Sequence, residues 1–145
     1  MVRVHYMYMF NRLGQCLHYH EWSRPRRPEH GLAEDAKLVF GLLFSLKQFC
    51  IKVDPCRAEG DNEDGSVARS IATDTYKLHF LDSPTGIRIA LVTEPSAGDL
   101  RAAMRHIYEN LYAQMVMRNP EYEPGAAIKC ENFCRELDRY VGGLP

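Results

Sequence analysis

Residues 36–53 read AKLVFGLLFSLKQFCIKV, and this stretch predicts a long helix. At the α-helical step of about 100° per residue, its apolar side chains cover far more than the one stripe that a surface helix turns toward its own core. The polar residues gather in a single strip, which consists of Lys37, Gly41, Ser45, Gln48 and Lys52. The surplus of apolar surface indicates a second contact, either within the chain or with another protein.

The apolar residues of this helix fall into two stripes. We expect the first stripe to lie on the chain's own sheet, and it consists of Leu38, Leu42, Leu46 and Phe49. We expect the second stripe to contact another protein, and it consists of Phe40, Phe44 and Ile51. In the alternative, the connection over residues 23–35 folds over the second stripe instead.

Hydrophobic periodicity places the other elements around this helix. The predicted strands are 2–10, 15–22, 67–73, 76–81 and 87–93, and the two further helices are 99–118 and 126–141. The first strand is apolar on both faces, so the sheet must be covered on both sides, and the polar third strand is expected at an edge. The order β-β-α-β-β-β-α-α predicts an α+β fold, in which a five-stranded antiparallel sheet carries one helix on one face and two helices on the other.

Composition limits the classes of function. The chain of 145 residues carries 18 Lys and Arg against 19 Asp and Glu, and this balance offers no basis for binding nucleic acid. No window reaches the roughly 18–20 apolar residues that span a bilayer, so we expect no direct membrane insertion. Five cysteines without a signal peptide favour reduced thiols in the cytoplasm. We expect a single domain over residues 1–145, with an exposed acidic loop, EGDNEDG, at residues 59–65.

Three groups of side chains invite a metal or catalytic interpretation. His18 and His20 share a face of the second strand, with His5 expected across the hairpin from His20, but packed or surface histidines are the favoured interpretation. Cys130 and Cys134 lie one helical turn apart without two further ligands, and the acidic loop lacks the closing glutamate of a calcium loop. Phosphate loops and nucleophile elbows are absent from the sequence. We therefore expect no metal, no cofactor and no catalytic residues, and the chain is predicted not to be an enzyme.

Several stretches carry a family resemblance. They are MYMFNRLGQCLHYHEW (7–22), KLVFGLLFSLKQFCIKVDP (37–55) and YKLHFLDSPTGIRIALVT (76–93), continued by HIYENLY (106–112) and LDRYV (137–141). On these residues the chain resembles the smallest longin-type subunits of TRAPP, the transport protein particle, over nearly its whole length. The resemblance implies the longin, or SNARE-like, arrangement of the predicted elements.

The resemblance also implies a function. It implies a non-catalytic structural subunit of a complex that tethers vesicles in endoplasmic reticulum to Golgi transport and acts, as an assembly, as guanine nucleotide exchange factor for an early secretory Rab GTPase. The implied partners are another longin-type subunit, a larger subunit of the acyl-pocket class and, through the assembled complex, the Rab-type GTPase. The implied location is cytoplasmic and peripheral to cis-Golgi and endoplasmic reticulum membranes. Two alternatives share the fold, namely a SNARE-regulatory longin domain and an adaptin-like subunit of a vesicle coat.

The family supplies no site residues, so the surplus apolar surface predicts the partner interface. The outer side of the long helix can bury against an equivalent helix, while the free edge of the second strand can extend a partner's sheet. The residues that we predict for this interface are Phe40, Phe44, Lys47, Ile51, Leu17, Tyr19 and Glu21.

Overall fold

The structure, a computed structural model, describes residues 3–24, 29, 31–53, 67–123, 127–128 and 131–144, without the side chains of residues 50, 51, 67 and 68. The strands are β1 (Val4–Phe10), β2 (Cys16–Glu21), β3 (Val67–Ala72), β4 (Lys77–Asp82) and β5 (Arg88–Thr93). The helices are α1 (Leu32–Val53), α2 (Arg101–His106), the π-helix π1 (Ile107–Val116) that continues α2, and α3 (Glu131–Gly142). The strands form an antiparallel sheet in the order β2-β1-β5-β4-β3, which confirms the predicted fold class and the edge position of β3.

Two helices begin about one turn or more away from the predicted residue. Helix α1 begins at Leu32, about one turn earlier than expected, and carries Glu34 and Asp35 in its first turn, where the helix dipole favours acidic side chains. Helix α3 begins at Glu131 rather than at residue 126. The earlier start was wrong because the Ile128 amide instead donates a hydrogen bond of 2.7 Å to the Leu17 carbonyl of β2.

Strand β1 is buried on both faces, as its apolar pattern predicts. Met7 and Met9 lie in one core layer, and Tyr8 and Phe10 lie in the other. Strict alternation would place Val4 in the layer of Tyr8 and Phe10, yet Val4 lies in the layer of Met7 and Met9. The register of β1 on β5 shifts just after Val4, and this irregularity turns the Val4 side chain to the other face of the sheet.

Helix α1 covers the face that carries Tyr8 and Phe10, but not with the stripe that we predicted. The side chains that pack there are Ala36, Val39, Phe40, Leu43 and Leu46. Of the stripe predicted to lie on the sheet only Leu46 does so, whereas Leu38 is 68% and Phe49 is 60% exposed. The prediction was wrong because apolar residues surround most of this helix, so the most regular stripe does not identify the buried one.

The opposite face of the sheet is covered by α2, π1 and α3. The π-helix is marked by the Met117 amide, which donates to the Tyr112 carbonyl five positions earlier at 3.2 Å. Its buried residues form two adjacent rows at a spacing of five positions, Ile107 with Tyr112 and Leu111 with Val116. α-Helical spacing from Leu111 would bury Met115, but Met115 is only half-buried because the wider turn places Val116 in the core instead.

One buried histidine makes stability depend on pH. His79 on β4 is 2% exposed, and its Nε2 lies 3.0 Å from the Thr93 hydroxyl oxygen. Burial, with a smaller contribution from Lys77, lowers the pKa of His79 from 6.5 to about 4. The unfolded chain therefore binds a proton between these values that the folded chain does not bind.

We expect His79 to reduce the free energy of unfolding as the pH falls from 6.5 toward about 4. The loss approaches about 1.4 kcal/mol per pH unit, whereas stability from this group is complete above pH 6.5. Urea unfolding of the parent and of His79→Gln at several pH values measures the effect. The parent should lose its advantage over the variant as the pH falls, and a difference independent of pH would contradict the assignment.

Candidate partner-binding surface

The outer face of α1, defined here as Leu38, Leu42, Phe49 and Val53, leaves large apolar side chains in solvent. Their exposed fractions range from 44% at Leu42 to 68% at Leu38. Gly41 and Ser45 lie beside them and are also exposed, so nothing bulky separates the apolar residues. A contiguous apolar face of this kind is typical of a protein interaction site.

Strand β2 forms one edge of the sheet among the described strands. The Trp22 amide donates to the His5 carbonyl of β1 at 3.0 Å, so backbone alternation turns the peptide groups of Tyr19 and Glu21 away from β1. Peptide groups at a sheet edge can pair with a strand of another chain. Both residues belong to the predicted interface, and their backbone geometry is compatible with it.

Leu17 occupies a different environment from the rest of this edge. The pairing of β2 shifts where Met9 is opposite His18 and Phe10 is opposite Cys16, which makes Leu17 the extra residue of a β-bulge. Its side chain is 2% exposed in the core, and its carbonyl accepts the bond from Ile128. The side chain of Leu17 therefore offers no surface to a partner, because the bulge turns it inward.

A largely buried ion pair connects the segment after β2 to the first turn of α1. The Arg24 Nη2 lies 3.2 Å from the Asp35 Oδ2, and the two side chains are 9% and 15% exposed. Arg24 also donates to the Tyr19 hydroxyl at 3.2 Å, while the Tyr8 hydroxyl donates to Asp35 at 2.5 Å. Burial and this hydrogen bond raise the pKa of Tyr8 above its ordinary value. The cluster sets the position of α1 relative to the strand edge.

Two of the predicted helix residues make contacts within the chain. The Phe40 ring packs edge-on against Phe10 at 5.5 Å between centroids and covers Gly14, so Phe40 belongs mainly to the core. The Lys47 ammonium lies 2.6 Å from the Asp82 carboxylate and is 42% exposed. Phe40 thus has less surface for a partner than we predicted, because α1 turns it toward the sheet.

The other two predicted helix residues differ in what the structure describes. Phe44 is 51% exposed, and the Arg88 guanidinium carbon lies 5.9 Å from its ring centroid. The side chain of Ile51 lies outside the described part of the structure. Phe44 is therefore the predicted residue on α1 with the largest described apolar surface.

The histidines of β2 face α3 on the opposite side of the sheet. The His18 ring packs edge-on against Phe133 at 5.3 Å, and His20 Nε2 lies 2.6 Å from the Asp138 Oδ1. The sequence could not indicate Asp138 as this partner, because the docking of α3 brings it there. His20 is paired with Met7 in the sheet. The expectation that His5 lies across from His20 was therefore wrong, because His5 is two residues before Met7 on β1.

Other possible sites are limited to what the structure describes. Among the described residues, no group of three histidine, cysteine or acidic side chains converges as metal ligands. The acidic loop at 59–65 and Cys130 lie outside the described residues. None of the helices in the described ranges is long and apolar enough to cross a bilayer.

The chain belongs to the Sybindin-like family, whose model matches residues 4–144. It is similar to Trafficking protein particle complex subunit 1 of Homo sapiens, with 39% identity over 142 residues that cover 98% of this chain and 94% of the relative. It is 31% identical to the protein of the same name from Dictyostelium discoideum, over 98% of this chain and 96% of the relative. Transport protein particle subunit bet5 of Schizosaccharomyces pombe is 30% identical, with 97% of each chain covered. These similarities confirm the resemblance drawn from the sequence.

We expect Asp35→Ala to lower the free energy of unfolding by about 3 kcal/mol, because Arg24 and Tyr8 lose a charged acceptor that is largely buried. Glu34→Ala is the matched control, since Glu34 forms an exposed pair with Lys37 at 3.7 Å. Its cost should be about 0.5 kcal/mol or less. Chemical unfolding of the three chains makes the comparison, and equal losses in both variants would show that the cluster contributes no more than a surface pair.

Proposed function

We propose that this chain is a non-catalytic structural subunit of a TRAPP-like complex that tethers vesicles in endoplasmic reticulum to Golgi transport. The assembly acts as guanine nucleotide exchange factor for an early secretory Rab GTPase, and the chain adds surface to it without catalytic residues of its own. Its partners are another longin-type subunit and a larger subunit of the acyl-pocket class. The chain works as one longin-like domain in the cytoplasm, at the surface of cis-Golgi and endoplasmic reticulum membranes.

The observation that carries this proposal is the exposed apolar surface of α1. Leu38 and Phe49 are more than half exposed on a helix whose other face already covers the sheet. Large exposed apolar side chains are typical of a subunit interface, where a partner buries them on assembly. The relatives support the proposal, because their names describe subunits of a particle complex and they match nearly the full length of this chain.

The proposed interface combines the outer face of α1 with the edge of β2. Of the residues predicted from the sequence, the proposed interface keeps Phe44 and the peptide groups of Tyr19 and Glu21. Lys47 lies beside Phe44 at the rim of this interface. Leu38, Leu42 and Phe49 join them, although the sequence pattern placed these residues against the sheet. The Arg24–Asp35 cluster holds the two parts of this surface in a fixed relation, which lowers the entropic cost of binding.

We expect the double variant Leu38→Asp/Phe49→Asp to lose at least about tenfold of its association with the other subunits. Each change places a charge where the partner would bury an apolar side chain, and central apolar anchors are worth more than 1 kcal/mol each. The measurement is affinity purification of the tagged full chain from its own cells, with quantitative mass spectrometry of the recovered subunits. Phe44→Asp tests the second part of the helix surface in the same way.

Ala102→Asp is the control variant, because Ala102 is exposed on α2, which covers the face of the sheet opposite to α1. Circular dichroism melting of each purified chain confirms that the substitutions leave the fold intact. Recovery of the double variant with the same subunits as the parent would remove the outer face of α1 from the interface. Recovery of the parent as a lone monomer would contradict the proposed function itself.

A further inference from the structure

A second surface lies at the end of the sheet, where π1 approaches two turns. A cleft of about 520 Å³ opens between the β1–β2 turn, the β4–β5 turn and π1. Its lining consists of Asn11, Arg12, Leu13, Gln15, Leu17, Thr85, Ile87, Tyr108, Tyr112, Ala113 and Met117. This volume falls within the range of ligand pockets in proteins. The proposed assembly surface uses neither π1 nor these turns, so the cleft needs an explanation of its own.

The π-helix builds one whole wall of the cleft. Tyr108 and Ala113 are five residues apart, as are Tyr112 and Met117, and this spacing places side chains on one side of a π-helix. An α-helix over the same residues would turn Met117 away from Tyr108. π-Helices are rare and are frequently found at functional sites, which makes this wall a candidate binding surface.

The interior of the cleft is largely apolar, and two of its hydroxyl groups are paired with each other. Leu17, Ile87 and Tyr112 are buried in its floor, and burial, with neighbouring tyrosines, raises the pKa of Tyr112 to about 12. The hydroxyl groups of Thr85 and Tyr108 lie 2.7 Å apart and satisfy each other. The floor therefore suits an apolar group, with little to orient a small polar molecule.

The rim adds a single positive charge to this apolar floor. Arg12 is the one charged residue among the described residues that line the cleft, and it is exposed. Gly86 makes its position possible, since a side chain there would bring a Cβ within 2.9 Å of Arg12 Nε. Leu13 and Met117 extend the apolar surface beyond the cleft, with exposed fractions of 81% and 50%.

The turn that carries Arg12 and Leu13 is held in shape before any ligand binds. The side-chain oxygen of Asn11 accepts the amides of Leu13 and Gln15, each at 3.0 Å, and the Gly14 amide donates to the Asn11 carbonyl at 3.1 Å. Gly14 takes the positive φ of 84° that this turn requires. A rim fixed in this way loses little conformational entropy when it binds.

We infer that this cleft binds a peptide segment of a partner protein in which a large apolar side chain lies next to a carboxylate. The apolar side chain enters the floor between Ile87 and Ala113, and the carboxylate meets the Arg12 guanidinium on the rim. Charge complementarity selects an acidic segment, because no carboxylate is present among the described lining residues to receive a basic one. The exposed Leu13 and Met117 favour a peptide over a small molecule, since they offer contact area outside the cleft.

Panning a random peptide display library on the immobilised full chain tests this inference. The expected result is a set of enriched sequences with one large apolar residue within two positions of Asp, Glu or a free carboxyl terminus. The same panning on Ala113→Phe, which fills the cleft, should not enrich them. Ala102→Phe is the matched control, because Ala102 is exposed on α2 and does not line the cleft.

A labelled consensus peptide then measures the contribution of Arg12 by fluorescence anisotropy. Arg12→Gln should weaken binding about tenfold, as expected for a charge-assisted hydrogen bond. Replacing the acidic residue of the peptide by its amide should weaken binding to the parent equally, with no further loss on Arg12→Gln. Met117→Ser provides a second, milder change of the cleft should Ala113→Phe fail to fold, and it should weaken binding severalfold.

The inference fails if no sequence is enriched on the parent over the variants that alter the cleft, or if the enriched sequences lack an acidic group. It also fails if Arg12→Gln binds the consensus peptide as tightly as the parent does. Because the library contains no TRAPP-like subunits, none of these outcomes bears on the proposed assembly through α1.

Discussion

The burial of β1 between two helical layers is the constraint on which the rest of the structure depends. Met7 and Met9 face α2, π1 and α3, whereas Tyr8 and Phe10 face α1, and all four side chains are fully buried. A strand of this kind excludes water only when both layers are in place. Each helix therefore has one face assigned to the sheet, and whatever apolar surface remains on its other face is available for partners.

The sequence predicted the elements and their order well, because alternation and helical spacing are local signals. It did not predict which face of α1 lies on the sheet. Leu38, Leu42 and Phe49 formed the most regular stripe, yet the buried residues Val39, Leu43 and Leu46 lie opposite the polar strip of the helix. The polar strip was the better guide, since charged residues avoid burial more strictly than apolar residues avoid solvent.

The remaining differences come from irregular backbone that the sequence pattern does not encode. The bulge at Leu17 and its bond to Ile128 depend on two segments far apart in the chain. The π-helix shifts the buried positions from Met115 to Val116. Both irregularities border the cleft at the end of the sheet. The hydrophobic pattern of the sequence therefore predicted burial least well where the backbone departs from ideal geometry.

The position of β1 in the middle of the sheet also governs how the chain is made. Arg3 bonds to Glu94, which is 91 residues away, and β1 pairs along its length with β5. During translation at about 5–20 residues per second, β1 and α1 leave the ribosome several seconds before β5 does. Throughout that interval one edge and one face of β1 lack their partners, and non-local pairing of this kind folds slowly. The nascent chain is consequently most prone to aggregation while its N-terminal half waits for residues 88–93, and this is the stage at which chaperones have the most to protect.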